Sequence, residues 1–390
     1  MFVILNSRHM KPVQIIIGGD ICPIGRNLPL FKAGAAGACF HDLLSEFKTV
    51  DLSIANLECP LIEQQTPIPK TGPVLGVEGA SIEGLAASRI QVLGLANNHI
   101  LDHGASGLEN TLRVCASAGI RTFGAGRNLT EARKILVLPA GPLRIGLLGL
   151  AEEEWSIATE SSAGANPIDL IDCTRNITEH RKSFDFLIVL LHGGVEDYPF
   201  PTPRLMETCR FLIEQGAQMV VCQHSHCAGC YESYRGGHII YGQGNLIFDA
   251  PGHNGLWHEG FLIKLSIAPA DLTSSWEAIP YTQSDSVAGA RRMAGREKAF
   301  LQALADRSNA IRDKAFVIES WKQLCQAQQH SFMSATLGHG RVLRRLNRNG
   351  RVVNHWHGEQ TLRTLRNSIS CEAHREMLLA VLDQYLGNGS

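Results

Sequence analysis

The chain has 390 residues, with 36 Lys and Arg against 37 Asp and Glu, a formal net charge of -1 and 44% hydrophobic residues. With a mean hydropathy of -0.02, this excludes a wholly disordered chain and a multi-pass membrane protein. A pI near 7.0 leaves no global basic field, so nucleic acid is not an expected partner. The length predicts one large domain with a smaller one, or two domains.

In chain order, the N-terminus carries a short apolar run before Asn6. It lacks the charged start, longer apolar stretch and small-residue cleavage site of a signal peptide. No window holds the roughly 18 apolar residues of a membrane span. The 11 cysteines are an odd number spread along a long chain, which reads as reduced thiols in a cytosol rather than a disulfide scaffold. A cytoplasmic location is expected.

Five apolar runs then end in polar groups. Val13 to Ile17 leads through Gly18 and Gly19 to Asp20, and Leu52 to Ala55 leads to Asn56, Leu57 and Glu58. Val92 to Ala96 leads to Asn97, Asn98 and His99, and Phe186 to Leu191 leads to His192. Met219 to Cys222 leads to Gln223, His224, Ser225 and His226. Short apolar runs of this kind read as buried strands. Between them lie helical stretches at Gly107 to Ala118 and Pro203 to Gln215, each followed by a glycine suited to a helix C-cap. Further strands are expected at Arg144 to Leu150, His238 to Tyr241 and Gly260 to Ile267. The alternation predicts an α/β fold. Character changes near residues 285–292, where Ala, Arg and Lys accumulate. Helices are expected beyond it at Glu297 to Arg312, Phe316 to Gln326 and Glu372 to Tyr385.

In open α/β sheets, ligands bind beyond the carboxyl ends of the strands. The strand-end set is Asp20, Glu58, Asn98, His192, His224 and His226. Each alone has an ordinary structural role available, as a turn residue, a helix cap or a hydrogen-bonded histidine. Together they form a mixed nitrogen and oxygen donor set that suits Mn, Zn or Fe. Six donors exceed the needs of one catalytic metal with an open position. They suffice for two metals sharing a carboxylate, an arrangement that prepares hydroxide for hydrolysis of a phosphoester or similar bond.

At these residues the chain resembles the CapA family of capsule and poly-γ-glutamate synthesis, within the calcineurin-like metallophosphatase superfamily. The matching stretches are GGDICPIGR (18–26), ANLECPL (55–61), LGLANNHILDHGASGLENT (93–111), LLHGGVEDYPFPTPR (190–204), GAQMVVCQHSHC (216–227) and IIYGQGNLIFD (239–249). The resemblance implies a four-layer αββα sandwich over residues 1–290, followed by a mostly helical module over 291–390. It implies Asp20 and His226 as ligands of one metal, Asn98, His192 and His224 as ligands of a second, and Glu58 as the bridge. It implies His99 as proton donor or transition-state stabiliser, with Asp102 orienting it. Arg26 and Glu196 are the candidates for substrate contact, and each has a structural alternative, Arg26 as an ordinary salt bridge.

Two positions depart from the superfamily pattern. Cys22 stands where the first motif usually has a second ligand, a histidine, which weakens one metal site and leaves one or two ions expected. Gln223 replaces a glycine before His224. Cys227 and Cys230 form a lone C-x-x-C without a strong zinc spacing. Five arginines between Arg341 and Arg351, and the cluster His355, Trp356 and His357, carry no clear assignment. The expected function is metal-dependent hydrolysis in capsule or poly-γ-glutamate metabolism, on an anionic small-molecule or polymer substrate. The alternative is a non-catalytic assembly factor of a polymer synthesis or export complex, with association at the envelope.

Overall fold

The computed structural model describes residues 11–253, 255–337 and 358–386. The chain divides into two compact units, one ending at Val317 and one starting at Ile318. The arginine-rich stretch 341–351 and the cluster 355–357 lie outside the described residues.

The first unit is built on two large sheets. One runs in the order Ala290–Arg292, Ser274–Gln283, Glu259–Ile267, Val13–Cys22, Leu52–Leu57, Val92–Gly94 and Arg121–Phe123. Asn245–Phe248 also pairs with the end of Val13–Cys22. The other runs in the order Tyr231–Tyr234, Gly237–Ile240, Met219–Gln223, Phe186–His192, Leu143–Ala151 and Leu136–Ala140. Three apolar cores follow from the period of two in a strand. Between the sheets, Ile15, Ile17 and Ile54 pack with Ile145, Phe186 and Ile188. On the outer face of the first sheet, Ile16 and Leu93 pack with Phe31, Phe40 and Leu108 from helical segments. On the outer face of the second, Leu187 and Val189 pack with Ile177, Cys209 and Leu212. Strands buried on both faces are apolar at every position. The result is a four-layer αββα sandwich.

The helices expected from Gly107 and Pro203 span Gly104–Ser117 and Pro203–Glu214. Gly119 and Gly216 follow them with φ of 74° and 112°, the left-handed conformation of a C-cap. The strands expected at Arg144, His238 and Gly260 span Leu143–Ala151, Gly237–Ile240 and Glu259–Ile267. Helix Glu297–Ala310 belongs to the first unit, where Phe300 and Leu304 join the core between the sheets. From Ile318 onward the second unit holds the rest of helix Lys314–Leu337, then Glu359–Ser370 and Glu372–Leu386. No helix among the described residues is long and apolar enough to cross a membrane.

Topology positions the site. Val13–Cys22, Leu52–Leu57 and Val92–Gly94 are parallel neighbours, as are Phe186–His192 and Met219–Gln223. Their carboxyl ends therefore share one edge. The register slips between Ile17 and Asp20, where a Cβ on Gly19 would lie 1.9 Å from the Gly244 carbonyl oxygen. Only glycine lets that loop pass directly behind Asp20.

Candidate metal centre

Asp20 lies near the end of its strand, and Glu58 follows Leu52–Leu57 directly. Asn98 lies in the turn after Val92–Gly94, and His192 closes its own strand. His224 and His226 lie in the loop after Met219–Gln223. Both have positive φ, 88° and 54°, a backbone state that side chains other than glycine adopt at a cost of about 1–3 kcal/mol. That geometry turns two imidazoles of one short loop toward the same point.

The six side chains converge. Asp20, Glu58 and His192 have ligand atoms within 4.8 Å of one another, and so do Glu58, His224 and His226. Glu58 is common to both groups, the property a bridging carboxylate requires. His192 Nε2 lies 3.1 Å from Asn98 Oδ1 and 3.4 Å from Glu58 Oε1. His226 Nε2 lies 3.5 Å from the same Glu58 oxygen. His226 Nδ1 also lies 3.9 Å from Asp20 Oδ2, so the donors interleave around Glu58.

The donor set fits a cation. Both carboxylate oxygens of Glu58 and the Nδ1 of His224 are buried without a hydrogen-bond partner. Orphaned buried polar atoms are costly, and a divalent ion satisfies them. Burial pushes the Asp20 carboxyl up to about 6, against hydrogen bonds from Asn56 and the His224 backbone. Burial, then the charges of Asp20 and Glu196, push Glu58 well above the usual carboxylate range. Burial, then His224 and His226, hold His192 well below the usual imidazole range. Burial also drives His226 down to about 3 and lowers His224. Metal-free, the site favours neutral side chains. Neutral imidazole is the ligand form, whereas the carboxylates must give up protons to bind.

His99 and Asp102 sit beside this cluster. His99 Nδ1 is 2.6 Å from Asp102 Oδ2. An ionised carboxylate only accepts, so Nδ1 carries the proton and Nε2 is left free. A cavity of about 510 Å³ opens here, with Asn98, His99, Glu154 and Glu196 in its lining.

Comparison with known proteins identifies the family. The family described as bacterial capsule synthesis protein PGA_cap matches residues 14–250. The chain belongs to that family. A capsule biosynthesis protein CapA of Bacillus anthracis is 27% identical over 255 residues, covering 63% of this chain and 62% of that protein. A probable polyglutamine synthesis accessory protein of Mycobacterium tuberculosis is 30% identical over 235 residues, covering 57% of this chain and 61% of that one. The match thus spans less than two thirds of the length of these relatives. Among solved structures, a hypothetical protein from Thermus thermophilus has 11% identity and a TM-score of 0.42, covering 68% of this chain and 99% of that one.

Several residues around the site are given no role by the sequence pattern of this PGA_cap chain. Asn245 Oδ1 accepts from His226 Nδ1 at 2.8 Å, which leaves the Nε2 lone pair facing Glu58. Glu154 Oε2 accepts from Asn98 Nδ2 at 3.0 Å, which turns the amide oxygen toward His192. Asn56 Nδ2 donates to Asp20 Oδ1 at 2.7 Å. Lys70 Nζ donates to Asp102 Oδ1 at 2.6 Å, with both side chains buried. The segment GNLIFD, which carries part of the resemblance, contains Asn245 and is the one available signal for it. Glu154 and Lys70 have no local signal.

Of the two candidates for substrate contact, Glu196 lines the cavity. Arg26 grips Asp249 with both Nε and Nη2, at 2.9 and 2.7 Å, and Nη2 also donates to the Ser284 and Asp285 carbonyls. Nε and Nη2 thus face protein acceptors, while the side chain as a whole is 48% exposed. Cys22 and Cys59 are fully buried, and burial, then contact with Cys59, holds the Cys22 thiol well above its usual range. Cys227 and Cys230 are buried too, and burial pushes Cys227 up to about 12.

Proposed function

We propose that this protein is a metal-dependent hydrolase of capsule or poly-γ-glutamate metabolism, with a mononuclear or binuclear centre held by Asp20, Glu58, Asn98, His192, His224 and His226. The observation that carries the reading is Glu58, a fully buried carboxylate with no hydrogen bond to either oxygen, shared by both donor groups. Divalent Mn, Zn or Fe bound there would activate water and stabilise charge on a leaving oxygen. The chain's own residues do the rest. Asn245 and Glu154 fix the faces that His226 and Asn98 present. Asp102 holds the His99 ring through Nδ1, so His99 Nε2 presents the lone pair that would take a proton from the attacking water and pass it to the departing group. Glu196 borders the cavity where substrate would lie. The substrate proposed is an anionic small molecule or polymer, drawn to the bound cation.

A second reading is a non-catalytic accessory factor of a polymer synthesis complex. It draws on the accessory role printed in the name of the Mycobacterium tuberculosis relative and on Cys22 in a position where the superfamily carries a ligand.

Elemental analysis of the purified protein and of Glu58→Ala tests the first reading. The expected result is about one or two transition-metal ions per chain, lost in the variant. A wild-type protein that takes up neither Mn nor Zn on reconstitution sinks it. A metal-free Glu58→Ala protein that still supports polymer production in cells would select the second reading.

A further inference from the structure

Residues 63–76 form an irregular, mostly exposed segment with no helix or strand. An exposed segment of this kind has little apolar burial to hold it. Apart from an exposed Glu63–Arg113 ion pair, its ties converge instead on two consecutive residues of the turn that carries His99. The Thr66 N–H donates to His103 Nδ1 at 2.8 Å, and the Ile68 N–H to the Asp102 carbonyl at 3.0 Å. The Leu75 N–H donates to Asp102 Oδ2 at 2.6 Å, the oxygen that also holds His99 Nδ1. Lys70 Nζ takes the other oxygen at 2.6 Å and lies 3.4 Å from both the Asn98 carbonyl oxygen and His99 Nδ1. Gly76 fits against the His103 ring, which a Cβ there would meet at 2.6 Å.

Asp102 is fully buried, and the Lys70 ammonium is its one partner of fixed positive charge among the described residues. A buried carboxylate stripped of its countercharge draws in water or shifts to find a new partner. That movement would release the Leu75 amide and the His99 ring together, because both share one Asp102 oxygen. The same segment supplies Lys70, Thr71, Gly72 and Pro73 to the lining of the cavity, along with Glu153 and Trp155.

We propose that segment 63–76 is a wall of the substrate cavity, and that Lys70 is a positioning residue which locks this wall to the His99–Asp102 pair. The proposal rests on the reading of that pair as working residues of the site. Docking of the segment and orientation of His99 become one event. A substrate that presses on Thr71 to Pro73 therefore sets the ring that serves it.

The test compares the full-length wild type with Lys70→Met and Lys70→Arg. Hydrogen exchange is read in the metal-free proteins at the Thr66, Ile68 and Leu75 amides. Lys70→Met should speed exchange at Ile68 and Leu75 by ~10-fold or more, while the amides of Phe186–His192 keep their protection. Lys70→Arg should restore most of it. Manganese content should match the wild type in both variants. With Mn²⁺ and bis(p-nitrophenyl) phosphate as probe, kcat of Lys70→Met should fall by ~10²-fold, the cost of a misplaced group, with KM nearly unchanged. Unchanged exchange in Lys70→Met overturns the proposal. So does loss of manganese, which would make Lys70 a support of the metal centre instead. A wild type inactive on the probe counts against hydrolysis alone, since the exchange result stands by itself.

Discussion

The two sheets contribute different chemistry to the same point. The first brings oxygen donors, Asp20, Glu58 and Asn98, from three adjacent parallel strands. The second brings imidazoles, His192, His224 and His226, from two adjacent parallel strands. Neither half contains a complete ligand set, and each nearest grouping draws on both sheets. The centre therefore exists only once the core between the sheets has closed, with Ile15 and Ile54 against Ile145 and Ile188. Folding and site assembly are one process here. The difference also separates two roles, since the carboxylates would supply charge to a bound cation while neutral imidazoles would supply directed lone pairs.

His99 is the sharpest probe of that division, an imidazole on the first sheet's side that is absent from both ligand groupings. His99→Ala should lower turnover by ~10²–10⁴-fold, the range for a general acid–base group, and leave metal content intact. Steady-state kinetics beside elemental analysis checks this. A loss of only a few-fold would remove His99 from the chemistry, and a loss of metal would return it to the ligands.

The sheet that contributes a donor is not always the one that orients it. Asn245 lies on a strand paired with Val13–Cys22 of the first sheet, yet it fixes the tautomer of His226 in a loop of the second. Asn245→Ala should weaken metal affinity by ~10–100-fold, as removal of such orienting partners does. Isothermal titration with Mn²⁺ or Zn²⁺ measures it. Unchanged affinity would mean that the sandwich alone aims the ring.

How much of this is legible in the chain follows from the same physics. Strands buried on both faces advertise themselves as short apolar runs, so Val13–Cys22, Phe186–His192 and Met219–Gln223 can be read directly, with their polar ends. Ser274–Gln283 cannot, because six of its ten residues are exposed or only partly buried and the apolar signal is diluted. Leu136–Ala140 is a partly exposed edge strand and is hidden for the same reason. The residues that aim the ligands are mostly silent. Lys70 is 32 positions from Asp102, and Glu154 is 56 from Asn98. Contacts at that separation leave no periodicity in the chain. The sharing of Glu58 by two groups is a fact of three-dimensional distance, and the family resemblance suggests a bridge without fixing which histidines stand nearest to it.

The smallest effect, and the one that weighs the two halves against each other directly, is the pH dependence of metal affinity. Burial raises the Asp20 carboxyl to about 6 in the metal-free protein and pushes Glu58 well up. Burial acts in the opposite sense on the imidazoles, taking His226 to about 3. As pH falls through about 6, Asp20 takes up a proton that a metal must displace, so affinity falls with acidity. Over the same interval His226 remains unprotonated and offers its lone pair unchanged. The expected loss is ~10-fold per pH unit for each competing proton. It should be carried by the first sheet's carboxylates, with protons released on binding. Asp20→Asn should bind metal more weakly at pH 7 and with a shallower slope below about pH 6, because one competing proton is gone. Titrations in buffers of different ionisation enthalpy would count the protons. A slope that stays the same in Asp20→Asn would pass the pH sensitivity to Glu58, and one that also survives in Glu58→Gln would pass it to the imidazoles, so that the division of labour between the sheets would have to be redrawn.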